Sequence, residues 1–135
     1  MLRLLWSARV ALFFTAFIWL LCLMPPKDLE VPAVLNGDKI FHFLVFGILC
    51  LLMIYALVRQ TRFDVLRRYA YFYAFLYCAL NGLCIEIVQH LWVPQRTGDW
   101  LDFVFDSAGA LVLGAFYFPL AGRPIRRRPP AGISV

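Results

Sequence analysis

The chain has 135 residues, 63% of them hydrophobic, with a mean hydropathy of +0.77. A soluble domain of that length needs a large polar surface, which 16% charged residues do not furnish, so one membrane domain is expected. The net charge of +5 does not indicate nucleic acid, because the basic residues fall in short segments between apolar runs and in the tail, leaving no basic face to read a groove.

Four stretches approach the ~20 residues that an apolar helix needs to cross ~30 Å of hydrocarbon. The first runs from about Leu4 to Met24, where Pro25-Pro26 stops it, with Arg9 near its start able to snorkel. Its apolar run is long for a signal peptide and no AxA-like cleavage site follows, so it is expected to be retained as the first helix. The second runs from about Ile40 to Val58, the third from about Tyr69 to Trp92, and the fourth from about Leu101 to Leu120, before Gly122 and Pro124. The spans are apolar almost all round, as expected where lipid is the solvent. The predicted fold is an all-α integral membrane bundle of four transmembrane helices over residues 1–120, with a basic, disordered cytoplasmic tail over 121–135.

Orientation follows from the 13 lysines and arginines. Arg3 and Arg9 at the start, Arg59, Arg62, Arg67 and Arg68 in the middle loop, and Arg123, Arg126, Arg127 and Arg128 in the tail lie on one side of a four-span chain. The opposite loops hold only Lys27, Lys39 and Arg96, so both termini are predicted to be cytoplasmic. Trp19, Trp92 and Trp100 fall near the outer interface and Trp6 near the inner one. The four cysteines, Cys22, Cys50, Cys78 and Cys84, all lie within apolar spans without metal-ligand spacing and are expected to be buried thiols.

On that topology the carboxylates segregate. Asp28, Glu30, Asp38, Glu86, Asp99, Asp102 and Asp106 lie on or enter from the outer side, and only Asp64 lies with the arginines. Asp38 and Lys39 open the second helix, and His42 shares a helical face with Asp38. Glu86 and Gln89 share a face of the third helix, about 5 to 9 Å below its outer end. Asp99, Asp102 and Asp106 follow at i, i+3, i+7, a stripe reaching roughly 10 Å into the membrane. Ionisable groups inside a membrane are costly and usually face the protein interior, which makes them functional candidates. Below Asp106 the stripe continues as Gly109, Ala110 and Gly114, and the Ala110/Gly114 pair is expected to serve a close neighbour, in cis or in an oligomer. Asn81 and Gly82 are read as easing helix packing, Phe41, Phe43 and Phe46 as packing residues, and His90 as interfacial.

The segments Asp38-Lys-Ile-Phe-His42-Phe-Leu-Val-Phe46-Gly47, Glu86-xx-Gln89 and Arg96-xx-Asp99-xx-Asp102-xxx-Asp106-xx-Gly109 together resemble the signature of the VanZ-like membrane proteins, over about residues 36 to 115. That family is named for a protein associated with low-level resistance to the glycopeptide teicoplanin. The resemblance implies a bacterial cytoplasmic membrane protein tied to the envelope. Family members often carry Asn where this chain has Asp106, which exchanges an amide donor for a carboxyl at that position.

Three readings of the polar end follow. In the first, a pocket rimmed by Trp92 and Trp100 binds a lipid headgroup, a lipid-linked cell-wall precursor or a lipoglycopeptide through Asp38, Lys39, His42, Glu86, Gln89, Arg96, Asp99, Asp102 and Asp106. Arg96 is the natural phosphate or carboxylate partner, since its planar fork matches both. In the second, the protein is a membrane enzyme acting on a lipid-linked substrate, with Glu86 or His42 as general base, or with Asp99, Asp102 and His42 around a divalent ion. No HExxH-like spacing and no nucleophile paired with a base is visible, so no metal or other cofactor is expected. In the third, the polar groups only pin helix ends.

Overall fold

The computed structural model describes residues 2–24, 37–93 and 99–121, with backbone only for 2–7 and 121. Arg96, Lys27, Asp28, Glu30, Pro25-Pro26 and the tail from 122 onward lie outside the described residues, as does the side chain of Trp6. Among the described residues the chain is all-helical: α1 (Leu2–Leu23), α2 (Gly37–Arg59), α3 (Asp64–Arg68), α4 (Ala70–Trp92) and α5 (Trp100–Ala121). The four long helices realise the four apolar spans. The short α3 was not anticipated, since five residues carry no readable period.

α2, α4 and α5 are each long and apolar enough to cross a membrane. The apolar part of α1 that is described in full, Ala8–Leu23, is shorter, but the whole helix of 22 residues extends about 33 Å at ~1.5 Å per residue. The outer surface is that of a bilayer protein: Phe13 and Phe116 are each 76% exposed, and Leu20 and Leu120 are also exposed. Side chains of this size standing outward on every long helix are covered by lipid, which makes the chain a multi-pass membrane protein.

Helix directions follow from the pairs in contact. Thr15 meets Tyr77 and Trp19 meets Asn81, so α1 and α4 run parallel. Lys39 meets Asp99 and His42 meets Asp106, so α2 and α5 also run parallel. Glu86 meets Asp99 while Tyr71 meets Leu111, so α4 and α5 are antiparallel. This is the alternation a four-span chain requires. α2 is the central helix, with Phe46, Leu49, Cys50 and Ile54 all buried, packed with Ala70, Ala74, Cys78 and Ile85 of α4, Ala11 and Ile18 of α1, and Ala110 of α5.

Small residues set the closest crossing, between α2 and α5. A Cβ on Gly109 would collide with the backbone carbonyl of Phe43, and one on Gly47 with the Leu113 side chain. Backbones approach this closely only where no side chain intervenes. The Ala110/Gly114 face is filled within the chain: Ala110 is buried, and a Cβ on Gly114 would lie 2.7 Å from the Tyr71 ring and 2.9 Å from Cys50 Sγ. Its neighbours are therefore α2 and α4 of the same molecule.

One expectation needs correction. Cys22, Cys50 and Cys78 are buried, but Cys84 is exposed, because it lies on the face of α4 opposite the core. Trp19 has a partner within the bundle: its indole N–H donates to Asn81 Oδ1 at 3.0 Å. A partly buried indole is best satisfied by such a partner, and Asn81 supplies it from the middle of α4. At the other end Gln60 is also buried. Its amide donates to the Phe63 carbonyl at 2.6 Å and its carbonyl accepts the Arg62 and Phe63 N–H groups, closing the turn from α2 into α3.

Candidate functional site

One end of the bundle gathers the C-termini of α1 and α4 and the N-termini of α2 and α5. Asp38, Lys39 and His42 occupy the first two turns of α2, Glu86 and Gln89 the last two turns of α4, and Asp102 and Asp106 the first two turns of α5. Three apolar helices thus bring their carboxylates to the same place. Arg59, Arg62, Arg67 and Arg68 lie at the opposite end, where Asp64 pairs with Arg67 at 2.8 Å.

The polar end has a rim and a floor. At the rim, Lys39 Nζ donates to Asp99 Oδ2 at 3.0 Å and to Asp102 Oδ1 at 3.5 Å. The Asp99 side chain is 45% exposed, and Asp38 is exposed too. Asp99 Oδ1 accepts the Leu101 N–H at 2.9 Å. That backbone donor, followed by the Lys39 ammonium, holds the Asp99 carboxyl below the ordinary carboxylate range. Trp92 and Trp100 stand exposed beside this rim.

The floor is buried. His42 Nδ1 and Asp106 Oδ1 are 2.9 Å apart, and Asp106 is fully inaccessible. The other ring nitrogen, Nε2, lies 3.9 Å from Asp102 Oδ2, so the imidazole is bracketed by two carboxylates. Glu86, on α4, closes the third side. Its Oε2 accepts the Asp99 backbone N–H at 2.8 Å, which ties the start of α5 to the end of α4. Glu86 Oε1 and Asp106 Oδ2 are both buried without a hydrogen-bond partner, as is Ser107 Oγ. Asp106 Oδ2 looks toward α4, since a Cβ on Gly82 would stand 2.8 Å from it. Gly82 lies one turn from Glu86 on α4, so its missing side chain makes room for the Asp106 carboxylate beneath Glu86.

Asp38, Lys39, His42, Glu86, Asp99, Asp102 and Asp106 therefore converge as the spacing suggested. Gln89 does not join them by any hydrogen bond described. It is buried and its amide donates to the Cys22 carbonyl at 2.7 Å, fastening α4 to the end of α1. An i, i+3 relation places two residues on one side of a helix, but 100° of rotation per residue still turns them toward different neighbours. Sequence reasoning passed over Ser107 and gave Gly82 only a packing role. A serine adjacent to a buried aspartate inside an apolar run was the available signal.

The VanZ/LLP1 family model matches residues 2–122, which takes in all four long helices. The chain belongs to the VanZ/LLP1 family. No curated protein and no solved structure gives a significant match. In this VanZ-like chain the resemblant segments are the ones that meet: the Asp38-to-Gly47 run carries rim, floor and helix crossing, and the Asp99-to-Gly109 run faces it from α5. At the position where the family resemblance implies an Asn, Asp106 here faces an imidazole. An Asn there could also accept from Nδ1 through its carbonyl oxygen, so what the carboxylate adds is negative charge beside the imidazole.

Proposed function

We propose that this VanZ-like protein resides in a bacterial cytoplasmic membrane with its arginine-rich end and both termini in the cytoplasm. On this reading the acidic end faces outward and binds the polar head of a lipid-linked envelope component or a glycopeptide-like molecule. The observation that carries the reading is the convergence of charges from three membrane helices on one end, with a partly exposed Lys39–Asp99–Asp102 rim over a buried His42–Asp106–Glu86 floor. Placing the arginine-rich loop inside follows the bias that orients membrane proteins. A ligand that reaches the rim from within the bilayer presents its head at the depth of these groups. Lys39, with Arg96 three residues before Asp99 in the sequence, meets a phosphate or carboxylate, while the acceptor-rich carboxylates meet hydroxyl, amide or ammonium donors. Pinning helix ends is a weak reason for so many charges, because intramembrane hydrogen bonds average only ~0.6 kcal/mol.

The test is mass spectrometry of lipids and small molecules that co-purify with the protein. Wild type is expected to retain a species that a combined Lys39→Met, Arg96→Ala variant loses while its expression stays normal. Equal retention by both overturns the reading.

A second reading, catalysis on a lipid-linked substrate, draws support from the His42–Asp106 pair. A carboxylate on Nδ1 fixes an imidazole for general-base work through Nε2, and Nε2 here faces the rim residue Asp102. Glu86 is the alternative base. Unchanged turnover of such a substrate by His42→Gln and by Glu86→Gln variants removes this reading.

A further inference from the structure

We propose that His42, Glu86 and Asp106 form a binding site for one divalent transition-metal ion of the zinc or manganese type. One potential ligand atom from each of the three lies within 4.8 Å of the other two. Metal–ligand bonds of about 2.1 Å put neighbouring ligands about 3.4 Å apart in a tetrahedron, so side-chain rotations of about an ångström close the set.

Proximity alone does not make a site; two buried oxygens do. Glu86 is 6% exposed and Asp106 is 0% exposed, yet Glu86 Oε1 and Asp106 Oδ2 each lack a hydrogen-bond partner. An acceptor left bare in a low-dielectric interior is costly, and two within one small cluster call for a shared cation. Charge balance points the same way. Two carboxylates and a dication sum to zero, which a membrane interior tolerates, whereas a single proton neutralises only one of the pair.

The composition of the set selects the ion. The imidazole suits zinc, iron, nickel or copper and the two carboxylates also admit manganese, while three protein ligands fall well short of the 6–8 oxygens calcium prefers. With Nδ1 turned to the ion, Nε2 would carry the ring proton on the side of Asp102 Oδ2, 3.9 Å away, where a closer approach would supply the outer carboxylate that orients a ligating histidine. Asp38, His42 and Asp102 form a second, overlapping set of possible ligands that includes the exposed Asp38. Gly82 completes the cradle, because any larger residue there would fill the space in which Asp106 Oδ2 sits.

The experiment uses the full chain, purified in detergent, stripped with chelator and dialysed against Zn²⁺ or Mn²⁺, with bound metal measured by inductively coupled plasma mass spectrometry. Wild type is expected to hold one ion per chain. Glu86→Gln alone and Glu86→Gln combined with Asp106→Asn should each weaken binding at least tenfold, and Asn81→Leu, in the α1–α4 contact, should not. Wild type with no stoichiometric metal overturns the proposal, as does full retention by the double variant. If the double variant fails to fold, Glu86→Gln is decisive by itself, and Co²⁺ loading of wild type gives a second readout through intense visible absorption bands. Metal content is read without any lipid ligand, so failure of the ligand-binding reading leaves this result untouched.

Discussion

Two polar seams run through this membrane bundle, and they are built on opposite lines. Between α1 and α4 the groups are neutral and matched: Thr15 Oγ1 with Tyr77 OH at 3.0 Å, Trp19 Nε1 with Asn81 Oδ1 at 3.0 Å, and Gln89 Nε2 with the Cys22 carbonyl at 2.7 Å. Where α2 and α5 meet under the end of α4, the groups are ionisable, carboxylates outnumber cations, and two buried oxygens have no hydrogen-bond partner. A neutral donor matched to a neutral acceptor sets helix register at little desolvation cost. Concentrated acceptors do the reverse, since each removes a costly group from water without a donor to meet it. The first seam is what a bundle needs to stay assembled. The second is more than assembly requires, which is why function is sought there.

The contrast can be broken most severely at the backbone crossing that holds the charged seam together. Gly109→Leu drives a side chain into the Phe43 carbonyl and is expected to cost about 3 kcal/mol or more. Thermal unfolding in detergent checks it, and a wild-type melting temperature would mean that α2 and α5 do not touch there. Next in size, Asp106→Ala strands the buried His42 Nδ1 and should cost about 2 to 3 kcal/mol, while Asp106→Asn restores an acceptor and should cost roughly half as much. Equal losses for the two would show that the carboxamide finds no partner.

Smaller effects probe the neutral seam. A double-mutant cycle on Trp19→Phe and Asn81→Leu should return a coupling of about 0.6 kcal/mol, the ordinary size for a hydrogen bond between membrane helices. A coupling several times larger would erase the distinction drawn between the seams. The smallest effect belongs to the rim. The Asp99 carboxyl is held below its ordinary value of 3.8, so the stability it confers is full above that pH and is lost as pH falls through its lower folded-state value. Asp99→Asn should abolish that acid sensitivity. A variant that loses stability in acid as steeply as wild type would assign the effect to another group.

Much of this was legible in the residues. The four apolar runs became four long helices because a bilayer leaves the backbone no partner but itself. Asp102 and Asp106 turned inward, since an ionised group facing lipid is too costly, while Asp99 stays half-exposed at the rim. Other features were not legible. Gln89 shares a side of α4 with Glu86 yet fastens α1, and only the positions of neighbouring helices decide that. The Trp19–Asn81 bond joins positions far apart in the chain, so no local pattern announces it. The set His42, Glu86 and Asp106 escapes any search for metal spacing, because its members come from three helices separated by long apolar stretches.

Composition and period by themselves determined that this chain forms a bundle of membrane helices and that its acids and arginines part company, because hydrocarbon imposes both from one residue to the next. Which acid meets the imidazole, which oxygens are left bare and how closely α2 can approach α5 were decided only in three dimensions. Those outcomes depend on the rotation and depth of whole helices, set by glycines at the crossings and neutral bonds along the seams, and no local stretch of chain contains them.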